Sequence, residues 1–513
     1  MFMIKFKRKG KIFCGINETV AKKLRKSHSV RKTLSVILSV VLILVLMPQK
    51  AFGIDDYVEE NGNWTIYTAQ GLTAFRDAVN GGNSFSGKTV TLADNLDLSG
   101  VCDSSKPWPP IGTSNSNKFC GSFEGNGKEI SGLYLDGEND YTGLFGNIGD
   151  YGSGTTSIKN LTLKNVNSKE GSGDFVGGLC GYMYSNVTIS NCSVVGTIQS
   201  AYYVGGICGF SYSDSNNIEN CFVDGDIHGN TSVGGICGCG LGKVSSCASF
   251  ANVSGKTDVG GIFGSSGPTI NNCYSAGNIK GENEVGGIFG GGSSSSSTAK
   301  INNCYSIGAI YVKGYTNHNG ETFSYGASIS GAGGYTDVNN CVGLSRLIRG
   351  VSDSSYYTIN RIMAIWRSKR DVGGDPDANY GRTDMELIKN PPEDGVEIAD
   401  LLADGEDLTI TPGWQQIFID LGWDQELWEI PTTDLSSPDY SIAALPTLKK
   451  INVEQHPLLP HVNDFYYLCK AEDINLLPAD IPRVDLGDGY FRLWKNEDFY
   501  DYKKGTPLKV VDP

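Results

Sequence analysis

The chain has 513 residues, 67 of them Gly, with 39% hydrophobic and only 19% charged residues, so it is long enough for more than one ordinary domain and too apolar for intrinsic disorder. Its formal charge of -14 conceals an asymmetry: residues 1–53 carry twelve Lys and Arg against the single Glu18, a balance of +11 that leaves -25 for the remainder. A surface that acidic, with no Arg anywhere in 77–345, excludes nucleic acid as a partner.

In chain order, residues 1–53 combine a long basic region with the apolar run Leu34 to Met47 and the small-residue sequence Ala51-Phe52-Gly53, the pattern of a secretory signal peptide. The same residues are compatible with an uncleaved N-terminal anchor, which would be the chain's one membrane contact; no other apolar stretch approaches the length of a bilayer span. Export to the cell surface or medium is expected. Residues 54–87 read as a strand and then a helix starting near Thr68, with Leu72, Phe75 and Val79 on one face, a cap for the repeats downstream.

Residues 88–345 are repetitive. Val-Gly-Gly-(Leu/Ile)-x-Gly recurs at Val176, Val204, Val233, Val259 and Val285, at intervals of 28, 29, 26 and 26 residues. Between copies stands an aliphatic residue three positions before a Cys: Ile189/Cys192, Ile218/Cys221, Val244/Cys247, Ile270/Cys273, Ile301/Cys304 and Val338/Cys341. Length varies almost solely between the last Gly of each motif and the next Ile or Val, in loops 182–187, 210–216 and 291–299. Short β-branched strands at one coil length predict an all-β, right-handed parallel β-helix, a solenoid whose equivalent residues stack into dry columns. A β-propeller would need longer repeats. The glycines are expected to supply corners at positive φ. The site that holds Cys180, Cys208 and Cys237, then Phe263 and Phe289, reads as an inward apolar slot. The other cysteine column leaves core thiols and disulfides both open, and the Asn191 to Asn340 column before it predicts an asparagine ladder.

Within 346–450, Arg382 to Ile388 has the spacing of a second short helix, and Trp414, Trp423 and Trp428 come after it, so closing coils and a C-terminal cap with a helix are expected there. Residues 451–513 have no readable period.

The Gly-Gly-(Leu/Ile)-x-Gly copies resemble the GLUG motif of exported bacterial surface proteins and of IgA1-specific zinc peptidases. Thr68-Ala-Gln-Gly-Leu-Thr-Ala-Phe, Trp108-Pro-Pro-Ile-Gly and Leu445-Pro-Thr-Leu-Lys resemble the lead-in and closing segments of such proteins, so the likeness spans roughly 64–450. It implies architecture more than activity. The peptidase branch needs His-Glu-x-x-His, and none of His28, His228, His318, His456 or His461 is followed by Glu. His456 and His461 are separated by two prolines, which deny them a helix interior, and no metal or other cofactor is expected.

Two classes of function remain. A carbohydrate-active enzyme on a β-helix would use basic residues, as a lyase, or paired carboxylates, as a hydrolase; Asp224 and Asp226 are the best pair in the sequence. A non-catalytic adhesin or binding scaffold would recognise an extracellular glycan or a host or matrix protein through turn aromatics, for which Tyr182, Tyr184, Tyr202, Tyr203, Phe210 and Tyr212 are the candidates. The second is the expectation, with a passive display stalk as a further alternative.

Overall fold

In the computed structural model the described residues are 55–364, 378–390, 405–431, 445–457 and strands between 465 and 511, short gaps within these ranges excepted. The expected signal segment therefore lies outside the described residues, as do His456 and His461.

Each repeat is one coil of a parallel β-solenoid. In the coil beginning at the first motif copy, Asp174–Gly177 joins an 8-stranded sheet, Cys180–Met183 a 6-stranded sheet, and Val187–Ser190 with Ser193–Gln199 the large 26-stranded sheet. Ladder pairing sets Trp64, Val90, Phe123, Ile158, Ile189, Ile218, Val244, Ile270, Ile301 and Val338 in one column. Val176 to Val285 form a second column and Phe145, Cys180, Cys208, Cys237, Phe263 and Phe289 a third. All of these are buried, so Cys and Phe do alternate in one inward slot. No coil could bury these side chains alone; each copy is the next one's cover.

The motif glycines differ from expectation. None of Gly177, Gly178 or Gly181 has positive φ. They are glycine because strands pass too close: a Cβ on Gly177 would meet the Cys180 carbonyl at 2.3 Å, and one on Gly206 the Gly235 carbonyl at 2.3 Å. The left-handed corners go instead to the asparagine column, where Asn191, Asn220, Ser246, Asn272, Asn303 and Asn340 have φ of 51 to 53°. Its amides run along the axis, Asn191 Nδ2 donating to Asn160 Oδ1 at 3.1 Å and Asn303 Nδ2 to Asn272 Oδ1 at 3.2 Å. The adjacent cysteines are buried thiols whose sulfurs accept backbone N–H groups from the preceding coil: Cys221 to Cys247, Cys247 to Cys273 and Cys273 to Cys304, each at 3.4 Å. In the last such coil Asn379 Oδ1 takes the sulfur's place, accepting from the Cys341 N–H at 3.0 Å.

At the N-terminal end, helix α1 (Ala69–Asn80) begins at Thr68, whose hydroxyl accepts from the Gly71 N–H, and buries Leu72, Phe75 and Val79 as the spacing predicts. Phe75 meets Phe119 at 5.5 Å and Phe123 at 5.9 Å, closing the first coils.

At the other end the expected helix at 382–388 is instead a further coil. Tyr380–Arg382 and Glu386–Asn390 are strands, with Leu387 in register with Ile348. Stacking on a ready-made edge outweighs the local helical spacing. The helix on this side is the single turn α2 (Gln416–Asp420). It belongs to a strap that folds back along the flank of the solenoid: Trp414, Phe418, Trp423, Trp428, Leu445 and Leu448 bury Phe222, Tyr274, Tyr305, Val342 and Leu344 on the outer side of the large sheet. The tryptophans thus line a side, where the sequence suggested an end. Beyond them, Phe465–Lys470, Arg483–Gly487 and Tyr490–Lys495 form an antiparallel three-stranded sheet within the stretch that had no readable period.

Candidate functional site

In the 8-stranded sheet the residue before each motif valine takes a left-handed conformation, at Phe175, Tyr203, Ser232, Asp258 and Glu284 in successive coils, and Tyr141, before Thr142, does so one coil earlier. The third residue of each following strand forms a parallel column, Tyr182, Phe210, Cys239, Ser265. A third column, Tyr184 then Tyr212, starts the variable loop.

These columns bring five of the six candidate aromatics, Tyr182, Tyr184, Tyr203, Phe210 and Tyr212, into one patch. Phe175 stacks on Tyr141 at 5.3 Å and on Tyr203 at 5.1 Å, Tyr182 on Phe210 at 5.3 Å, and Tyr184 on Tyr212 at 5.4 Å. Neighbouring columns meet edge to face, Phe175 with Tyr182 and Tyr203 with Phe210. Such pairs contribute about 0.5–1.5 kcal/mol each beyond their buried area. Tyr202 stands outside the ladders, 6.5 Å from Tyr203. Burial pushes the Tyr182 and Tyr203 hydroxyls up from the usual phenol range.

Sequence reasoning missed Tyr141, Phe175, Tyr151 and Lys118. Phe175 was findable, since it precedes Val176 as Tyr203 precedes Val204. Tyr151, edge-on to Tyr184 at 5.2 Å, sits in an irregular turn with no periodic signal. Lys118 Nζ lies over the Tyr184 ring, 3.9 Å from its centroid, and pairs with Asp150 Oδ1 at 3.0 Å.

All three ladders stop at the same coil. After Tyr203, Phe210 and Tyr212 come Ser232, Cys239 and Leu241, and a groove of about 740 Å³ lies beside Phe210, Tyr212 and Leu241. Phe210, Tyr212 and Asp214 line it from the loop at 210–216, Ser297 from the loop at 291–299, and Lys300 and Asp337 from the next coils. Two of the three expected variable loops therefore meet there, and the third carries Tyr184 into the patch.

The left-handed column ends in two carboxyl groups. Burial, then the neighbouring Asp258, pushes the Glu284 carboxyl well up from its ordinary value. Gly292 N–H donates to Glu284 Oε2 at 3.1 Å and Ser232 Oγ to Asp258 Oδ2 at 3.4 Å. The pair that the sequence favoured, Asp224 and Asp226, lies on the large sheet, away from the groove lining, with Asp226 accepting from Asn252 Nδ2 at 3.3 Å. Among the described residues no group of three or more His, Cys, Asp or Glu side chains gathers as a metal ion would require.

No family model matches the chain. A Gly-rich protein of Evansella cellulosilytica, named as a membrane protein, is 35% identical over 134 residues, which are 26% of this chain and 14% of that protein. The chain thus matches about one seventh of that relative's length. A crystal structure named for an immunoglobulin A1 protease of Bacteroides ovatus covers 76% of this chain and 92% of its own at 17% identity, with a TM-score of 0.40.

Proposed function

We propose that the protein is an exported, GLUG-type β-solenoid that acts at the cell surface as a non-catalytic adhesin, binding an extracellular glycan along its aromatic patch and groove. One observation carries the reading. Of the five large hydrophobic side chains exposed among the described residues, Tyr151 and Tyr212 belong to this patch and Tyr202 stands at its edge, the other two being Val58 and Tyr315. Tyrosine edges and hydroxyls beside Ser, Thr and Asp match a sugar's alternation of C–H faces and hydroxyls. The basic and apolar stretch at residues 1–53 and the membrane-protein name of the Evansella relative support the location.

A glycan array probed with the full chain and with a chain lacking Gly291 to Thr298 tests this. Binding that weakens on deletion supports the groove, and silence across the array overturns it in favour of a display stalk.

A further inference from the structure

The patch already holds one cation. The Lys118 ammonium sits over the face of Tyr184 while Asp150 pairs with it, an arrangement in which the ring quadrupole and a carboxylate share one positive charge. Tyr184 stacks in turn on Tyr212, which is 47% exposed and lines the groove together with Asp214. The ladder therefore has two ends of like composition, a tyrosine ring with an aspartate two residues or one coil away. One end is filled by the chain's own lysine. The other opens on the groove, whose lining has Asp214 and Asp337 against the single basic Lys300, in a region of sequence without Arg.

Resting on the glycan reading above, we infer that the groove takes an oligosaccharide of amino sugars with free ammonium groups, a pyranose C–H face against Tyr212 and an ammonium toward Asp214. Uronic or sialic acids would bring like charge to this lining, and an acetylated amino sugar would cover the carboxylates without pairing them. A lysine-rich peptide shares the ammonium but offers no flat apolar face to the ring.

The test is calorimetric titration of the full chain, at about pH 6 so that amines are charged, with a glucosamine oligomer, its fully N-acetylated counterpart, a galacturonate oligomer and a lysine oligomer. The glucosamine oligomer should bind about tenfold or more tightly than the acetylated one. Asp214→Asn, an exposed position whose change leaves the coil intact, should remove most of that difference without weakening the acetylated oligomer. Tyr212→Ala should weaken both. Equal or tighter binding of the acetylated or galacturonate oligomer overturns the ammonium assignment while leaving a glycan ligand standing. Lysine oligomer binding as tight as glucosamine overturns it in favour of a protein partner, and silence from all four overturns the amino-sugar assignment and leaves the glycan reading to the array.

Discussion

Tyr274 and Tyr305, one coil apart, stack with ring centroids 4.8 Å apart and planes 3° from parallel, and each hydroxyl donates to the strap: Tyr274 to Gln455 Oε1 at 2.7 Å and Tyr305 to the Pro446 carbonyl at 2.6 Å. Both rings are fully buried, which pushes their hydroxyls well above the phenol range and keeps them donors. Tyr305→Phe, which leaves the Pro446 carbonyl without its donor, should cost about 1–3 kcal/mol in denaturant unfolding. Tyr305→Ala should cost about 3–5 kcal/mol and expose 405–457 to limited proteolysis.

The glycine motif is a spacing requirement. Gly206→Ala would bring a Cβ to 2.3 Å from the Gly235 carbonyl and 2.4 Å from Val223 Cγ1, so adjacent coils must part; the expected loss is about 2–3 kcal/mol or more. Gly100→Ala, with nothing within 4 Å, serves as the control and should leave the thermal midpoint nearly unchanged.

The thiols of the column carry a pH signature. Burial pushes Cys221, Cys247, Cys273 and Cys304 well above their ordinary value of 9.0, so the folded chain keeps protons that the unfolded chain gives up. Their contribution to stability is complete below pH 9.0 and is lost as pH rises beyond it. Urea midpoints should fall from pH 8 to pH 10, and alkylation of these four thiols should require unfolding at either pH.

Glu284 works in the same direction at lower pH. Its raised carboxyl value means stability that is complete below the ordinary 4.5 and lost as pH rises through the folded value. Glu284→Gln should flatten that limb and be the more stable protein at neutral pH, measured by thermal melts across pH 4 to 8.

Tyr203→Ser should separate the patch from the fold. Ser232 takes the same left-handed position one coil later, with φ of 56° against 52°, so the backbone accepts serine there. Stability should fall by about 1–3 kcal/mol, the stacking on Phe175 and the edge-to-face contact with Phe210, while binding to an array-positive glycan weakens.

The legible part of the sequence lay in its local spacing. Leu72, Phe75 and Val79 lie on one helix face, and the Val and Ile columns declare their partners through a recurring motif whose length variation is confined to loops. The six aromatics stand out as large residues off the aliphatic columns, but Tyr182, Tyr202, Tyr203 and Phe210 lie on strands, where the sequence suggested turns. Leu387 was misread because a strand that completes an existing edge needs no alternation of its own, and the Thr383 region has a helix's local pattern. The strap was illegible for a different reason. Trp428 Nε1 donates to Asn272 Oδ1 across 156 residues, and nothing near Trp428 states where that partner lies. Asp258 and Glu284 sit 26 residues apart and meet only because the coil has that length.

A solenoid whose coils touch only their neighbours unravels from its ends, one rung at a time. The strap changes that arithmetic. Its bonds to Tyr305, Asn272 and Tyr274 close loops of 141, 156 and 181 residues, clamping rungs that are otherwise linked only in series. Fraying from the C-terminal edge must first peel the tryptophans off the flank, so the clamped rungs should open together as one cooperative block. The groove at Tyr212, Ser297 and Lys300 draws its walls from those same rungs, and a pull on a bound ligand would load the block as a whole.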